Sequence, residues 1–184
     1  MRFAWLLFLA GCFTARVSAG PHASSAGRGG MSAAAGYGFG YGWDGKQAVY
    51  LSGGVGVTSD QVAQLTITDS IDYVNHMAGW PMRFSGRFGV VMSRDKYGEP
   101  ERPYFGAGVA FFPWHDRAGG GDDEEHDEKF GDVFPKMAAH RGLGVELDVD
   151  AMPAVSATDT TRAERTAMIV TCALVGELDG MLDD

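Results

Sequence analysis

Apolar and polar residues alternate along most of the chain, and the segment 34–57 shows this pattern most clearly. From Tyr37 to Trp43 every second residue is aromatic, and the residues between are glycines. Successive side chains of a strand point to opposite faces, so the aromatics share one face and the glycines the other. Asp44-Gly45 suits a two-residue turn with positive φ, and the segment is therefore predicted to be a β-hairpin.

Five further segments alternate in the same way: 64–74, 82–94, 104–113, 142–152 and 165–178. With the hairpin they give seven strands, and an eighth is a weaker prediction within 133–140, where Pro135 disfavours a strand. Since helical periodicity is lacking, we predict an all-β fold. The expected architecture is an antiparallel meander of seven or eight strands closing into a small barrel, and a β-sandwich is the alternative.

The N-terminal 33 residues have a different composition. A positive Met1-Arg2 precedes the apolar run 3–15, which is too short for the ~20 residues that a membrane-spanning helix needs. The run is typical of a signal peptide over residues 1–19, with Val17-Ser18-Ala19 as the cleavage site. Residues 20–33, rich in Ser, Ala and Gly, are predicted to be a flexible tether. The single β-domain is then expected over 34–184.

The sequence Leu9-Ala10-Gly11-Cys12 resembles the lipobox of bacterial lipoproteins. This resemblance implies that residues 1–11 are removed and that Cys12 carries the lipid. Phe13 stands where an aspartate favours retention in the inner membrane, so the resemblance implies the outer membrane. Ordinary cleavage after Ala19 remains the alternative.

The net charge and the sequence motifs argue against several classes of function. The formal net charge of −9 argues against a nucleic-acid partner. Residues 40–46 approach the glycine motifs of nucleotide-binding loops, but they lie in a hairpin rather than before a helix. Cys172 lies in an apolar run and is predicted to be a buried, inert thiol. We therefore predict no catalytic residue, no cofactor and no enzymatic activity.

No metal site is predicted either. The five histidines lack the spacings typical of zinc sites. A long loop is expected over 114–141, and its segment 122–132 holds seven carboxylates in eleven residues. Oxygen ligands suit calcium, but the spacing is not that of an EF-hand, so a solvated acidic loop is the preferred interpretation.

The strand lengths and the alternation resemble a small Gram-negative outer-membrane β-barrel. The resemblance implies aromatic residues facing lipid at Tyr37, Phe84, Phe88, Phe105 and Phe111. It also implies charged side chains facing the lumen at Arg83, Arg87, Glu146, Asp148 and Asp150.

Two functions are consistent with these patterns. The first is a non-catalytic structural or interaction protein of the outer membrane, with or without a lipid anchor. The alternative is a lipid-anchored periplasmic binding module of lipocalin-like or sandwich type, in which the glycine face and Tyr50 line a pocket for an apolar small molecule.

Overall fold

The fold is a closed barrel of eight antiparallel strands in sequential order. The computed structural model describes residues 12–25, 29–43, 46–59, 63–76, 81–93, 102–118, 137–153 and 166–182. The strands are β1 (Cys12–Ser24), β2 (Gly29–Trp43), β3 (Gln47–Ser59), β4 (Ala63–Asn75), β5 (Met82–Ser93), β6 (Arg102–Ala118), β7 (Met137–Met152) and β8 (Ala167–Leu182). The predicted all-β meander and its closure into a barrel are confirmed.

Across the parts of the chain that the structure describes, no helix is long and apolar enough to cross a bilayer.

The pairing register sets the tilt of the strands. Paired positions followed once around the barrel from Gly40 on β2 lead back to Gly30, ten residues away on the same strand. A stagger of this kind tilts barrel strands by about 35–45°, and eight strands leave a lumen just wide enough for side chains to fill. We call the end where β1 begins and β8 ends the first rim, and the opposite end the second rim.

The glycine face of the predicted hairpin lines the lumen, while its aromatic face points outward. At Gly40 an added Cβ would lie 1.9 Å from the carbonyl oxygen of Val49 on β3. A side chain at this position would clash with the neighbouring backbone, so the glycine permits the close approach of the two strands.

The N-terminal segment differs from the sequence interpretation. Residues 12–24, divided between signal peptide and tether in the prediction, form β1, which pairs with β2 and β8. Residues 29–33 of the predicted tether likewise begin β2. The outward face of β1 is apolar, with Phe13, Ala15 and Val17, and its inward face carries Thr14, Arg16 and Ser18. Many of its residues are small, and its start overlaps the apolar run of the predicted signal peptide. Cleavage after Ala19 would remove residues 12–19 of this strand.

The eighth strand is therefore β1 and not a strand within 133–140. Residues 137–140 are the first residues of β7, and 133–136 lie outside the described residues. The predicted loop 114–141 is also shorter than expected, because β6 continues to Ala118 and β7 begins at Met137. The acidic segment 122–132, and with it the alternative calcium site, lies outside the described residues.

A β-bulge interrupts the pairing of β6 with β7. Phe111 pairs with Val145, but Trp114 pairs with Leu143, so β6 contains one extra residue here. Pro113 lies in the bulge, where its missing N–H is tolerated. The extra residue reverses the alternation of β6, and the side chain of His115 consequently faces the interior.

Candidate functional site

The outer surface of the barrel is apolar along every strand. Large hydrophobic side chains are exposed on it, among them the predicted lipid-facing residues Tyr37, Phe84, Phe88 and Phe105, and also Val17, Leu51, Val55, Ile71, Leu147 and Leu174. Tyr37 is 66% exposed and Leu174 65% exposed. Phe111, the fifth predicted aromatic, is half-buried. An exposed apolar surface this extensive is unusual for a water-soluble monomer, because patches above a few hundred Å² are normally covered.

Aromatic rings form a row on the outer surface near the first rim. Tyr41 stacks on Trp43, Trp43 on Tyr73 and Tyr73 on Phe84, with 6.4 Å between ring centroids at each step. The Tyr73 hydroxyl donates a 2.6 Å hydrogen bond to Gln47. Amphipathic rings of this kind are typical of the boundary between lipid and water.

Charge interrupts the apolar surface at Asp69. This residue lies on the outward face of β4, exposed, between Gly53 of β3 and Phe88 of β5. The sequence identifies it as the polar exception on an apolar face. An outward carboxylate is unfavourable against lipid, although less so than Arg or Lys at the same depth.

The lumen contains a buried ion-pair network centred on Arg83, which is 1% exposed. Its Nη1 donates to Asp72 at 3.2 Å and its Nη2 to Asp179 at 3.2 Å, while Nε lies 2.7 Å from a Glu177 oxygen. We call these four residues the Arg83 cluster. Nη2 also donates to the Thr14 hydroxyl at 2.6 Å. The network joins β5 to β1, β4 and β8 and fills the lumen with side chains.

A second network, the Arg87 cluster, consists of Arg16, Arg87, Glu146, Asp148 and Asp150. Arg87 lies 2.8 Å from Asp148 and donates to both oxygens of Asp150, at 2.8 and 2.9 Å. Arg16 donates to Glu146 at 2.7 Å. The structure thus places all five predicted lumen charges in the interior. The carboxylates are held by arginines, since removing a charge from water is costly unless it is paired.

A cavity of about 130 Å³ lies in the lumen beside the two clusters. Arg83, Arg87, Asp72 and Asp150 are among its lining residues. Tyr50, expected to line a ligand pocket, instead packs with Cys12, Ala48 and Val74 in a buried apolar cluster. Pockets for drug-sized ligands are about 300–1,000 Å³, so this cavity is too small for such a ligand.

The two cysteines occupy opposite faces of the wall. Cys12, the predicted lipidation site, is the first residue of β1, and its side chain is buried inside the barrel. A lipid on this sulfur would require the side chain to leave the interior. Cys172 is exposed on the outer face of β8. The prediction that Cys172 is buried in a core is wrong, because the apolar face of its strand points outward.

Three histidines meet at the first rim, and we call them the histidine cluster: His76 after β4, His115 on β6 and His140 on β7. One ring nitrogen from each lies within 4.8 Å of the others. The His76 and His140 rings stack with centroids 4.3 Å apart. Nε2 of His115 and Nδ1 of His140 are 3.1 Å apart. Burial lowers the pKa of His76 to about 4, against the opposing effect of Glu177, so its imidazole is neutral at pH 7.

Sequence reasoning missed this cluster because its members come from three separate strands or strand ends. Zinc spacings detect ligands that lie close together on one element, and 38 residues separate His76 from His115. The bulge in β6 also reverses the face of His115, which no alternation pattern predicts. Asp72, Glu177, Asp179 and Arg16 were missed as partners because lumen pairs depend on barrel closure.

No protein-family model matches the sequence, and no curated protein matches it.

Proposed function

We propose that the chain is a non-catalytic structural or interaction protein of the outer membrane and that the barrel itself spans the bilayer. The observation that carries the proposal is the inversion of polarity across the wall. Apolar and aromatic residues cover the outside, and paired charges fill the inside. A soluble barrel needs the opposite arrangement, since charged groups are favoured in water and apolar groups in a core.

The lumen favours a structural role over transport or catalysis. Arg83 contacts Thr14 and Asp179 from the far side of the barrel, so side chains fill this part of the lumen. Asp148 and Asp150 both contact Arg87 and are held as its counter-ions. The groups that interact with partners are then expected at the rims and in the connecting segments.

A periplasmic binding module remains the alternative function, and it requires an apolar internal pocket. The cavity in the lumen, at about 130 Å³, is too small for such a ligand and does not favour this function. The two functions also differ in what covers the outer face, which must be lipid in the first case and a protein partner in the second.

The proposal is tested by folding the full chain in detergent micelles and analysing it by gel electrophoresis with and without boiling. A membrane barrel resists the detergent of the gel until heated, so we expect two bands of different mobility. The control is Arg83→Ala, which removes the central lumen cation and should lower the temperature at which the fast band disappears. A full chain that dissolves in water as a monomer without detergent would contradict the proposal.

Lipid anchoring at Cys12 is a separate part of the proposal. Intact mass spectrometry of the membrane-extracted protein distinguishes the alternatives. A lipid adduct on a chain that begins at Cys12 would support the anchor. A chain that retains residues 12–19 without an adduct would mean that the barrel alone holds the protein in the membrane.

A further inference from the structure

The histidine cluster has a composition that the structural role of the barrel does not require. Structural lumen charges are satisfied by arginine–carboxylate pairs, as in the Arg87 cluster. At the first rim, by contrast, three imidazoles from His76, His115 and His140 lie together. Imidazole nitrogen is a preferred ligand of zinc, copper and nickel ions.

Acidic groups are in excess beside the histidines. One guanidinium, Arg83, faces the three carboxyl groups of Asp72, Glu177 and Asp179, so acidic groups outnumber basic ones in this buried site. His76, Glu177 and Asp179 themselves present ligand atoms within 4.8 Å of one another. Carboxyl groups beside three imidazoles favour a divalent cation, which attracts negative charge.

His76 connects the carboxylates to the histidines. Its Nε2 lies 3.0 Å from Asp179, while its Nδ1 is buried and has no hydrogen-bond partner. The side chain is 3% exposed. A carboxylate on one ring nitrogen fixes the tautomer and leaves the other nitrogen as a ligand, which is the usual second-shell arrangement in metal sites. Hydrogen bonding to Asp179 therefore orients His76 Nδ1 for coordination.

We propose that the histidine cluster binds a divalent transition-metal ion of the zinc class, with His76, His115 and His140 as ligands. Asp179 acts as a positioning residue through His76. The His76 and His140 rings are now parallel to within 6°. Parallel rings do not direct their lone pairs at one point, so binding requires at least one ring to rotate. Three nitrogen ligands leave a fourth, open position on a tetrahedral ion.

The first test is a titration of the folded, chelator-treated full chain with Zn²⁺ alone, measured by isothermal titration calorimetry. We expect one ion per chain, whether the barrel lies in a membrane or in water, since the ligands face the interior. A Kd for Zn²⁺ of about 1 mM or weaker in the wild-type protein would by itself overturn the proposal.

Single substitutions test which histidines bind the ion. We expect His115→Gln and His140→Ala each to weaken Zn²⁺ binding by at least ~10-fold, and Asp179→Asn by about 10- to 100-fold. The matched control is His22→Ala, because His22 and His76 are equally buried as whole residues but His22 lies near the second rim. His115 is only half-buried, so its variant is expected to fold, as heat-modifiable migration would verify. Unchanged affinity in a folded His115→Gln protein, or equal loss in His22→Ala, would overturn the assignment.

Discussion

The guanidinium of Arg83 on β5 donates a 2.6 Å hydrogen bond to the hydroxyl of Thr14 on β1. In a closed barrel of eight sequential strands, these two strands lie on opposite walls. A single side chain therefore reaches across the lumen, and on the way it is surrounded by Asp72, Glu177 and Asp179. The Tyr50 ring lies beside it, with its centroid 5.9 Å from Arg83 Cζ.

Removing this guanidinium should strongly destabilise the barrel. Arg83→Ala leaves three buried carboxylates without their cation, and breaking a buried ion pair from one side costs about 3–5 kcal/mol. The measurement is the free energy of unfolding in urea, in micelles. Arg141→Ala is the control, because Arg141 is exposed on the outer face of β7, and its loss is expected to stay within ~0.5 kcal/mol. Equal effects of the two changes would show that the Arg83 cluster contributes little.

The glycine face of β2 should not tolerate a methyl group. In Gly40→Ala the new Cβ meets the Val49 carbonyl oxygen at 1.9 Å, and we expect a loss of about 1–3 kcal/mol as the strands shift. Gly86 on β5 is the matched position, since an added Cβ there meets nothing within 4 Å. Gly86→Ala is expected to be neutral or to stabilise the fold by ~0.4–1 kcal/mol through the unfolded chain. Similar unfolding energies for the two variants would contradict the close approach of β2 and β3 at Gly40.

An arginine substituted on the outer face should show whether lipid covers that face. Leu174 lies near the middle of β8, and Leu174→Arg is expected to cost about 2–4 kcal/mol in a bilayer. Met31 lies near the second rim and is also exposed, so Met31→Arg is expected to cost only ~0–1 kcal/mol. Unfolding titrations in lipid vesicles measure both. If water covered the outer face, both variants would be near neutral, and the dependence on depth would vanish.

Local patterns in the sequence predict most of the wall. Segments such as 82–94 alternate because one face meets apolar surroundings and the other a charged lumen, and this suffices to place Arg83 and Arg87 inside. β1 alternates more weakly, because outward residues such as Ala15, Ala19 and Ala23 are small and its start overlaps the apolar run of the predicted signal peptide. Its pairing with β8, which is distant in sequence, becomes visible only once the barrel closes.

The sites within the lumen were harder to predict for the same reason. Arg16 and Glu146 are 130 positions apart and meet only through the closure of β1 against β8 and β7. His115 faces inward only because one extra residue at Pro113 reverses the alternation of β6. Pairings across the barrel and single-residue bulges are properties of the register, and the sequence pattern of one strand does not contain them.

The most direct measurement of the central claim uses Cys172, which is exposed on the outer face of β8. The folded full chain in lipid vesicles is treated with a charged maleimide that does not enter membranes, and a Cys172→Ser variant identifies the labelled thiol. If the outer face lies in lipid, Cys172 should react only after the protein is unfolded. Labelling of Cys172 in the folded protein as fast as in the unfolded chain would contradict the membrane-spanning barrel.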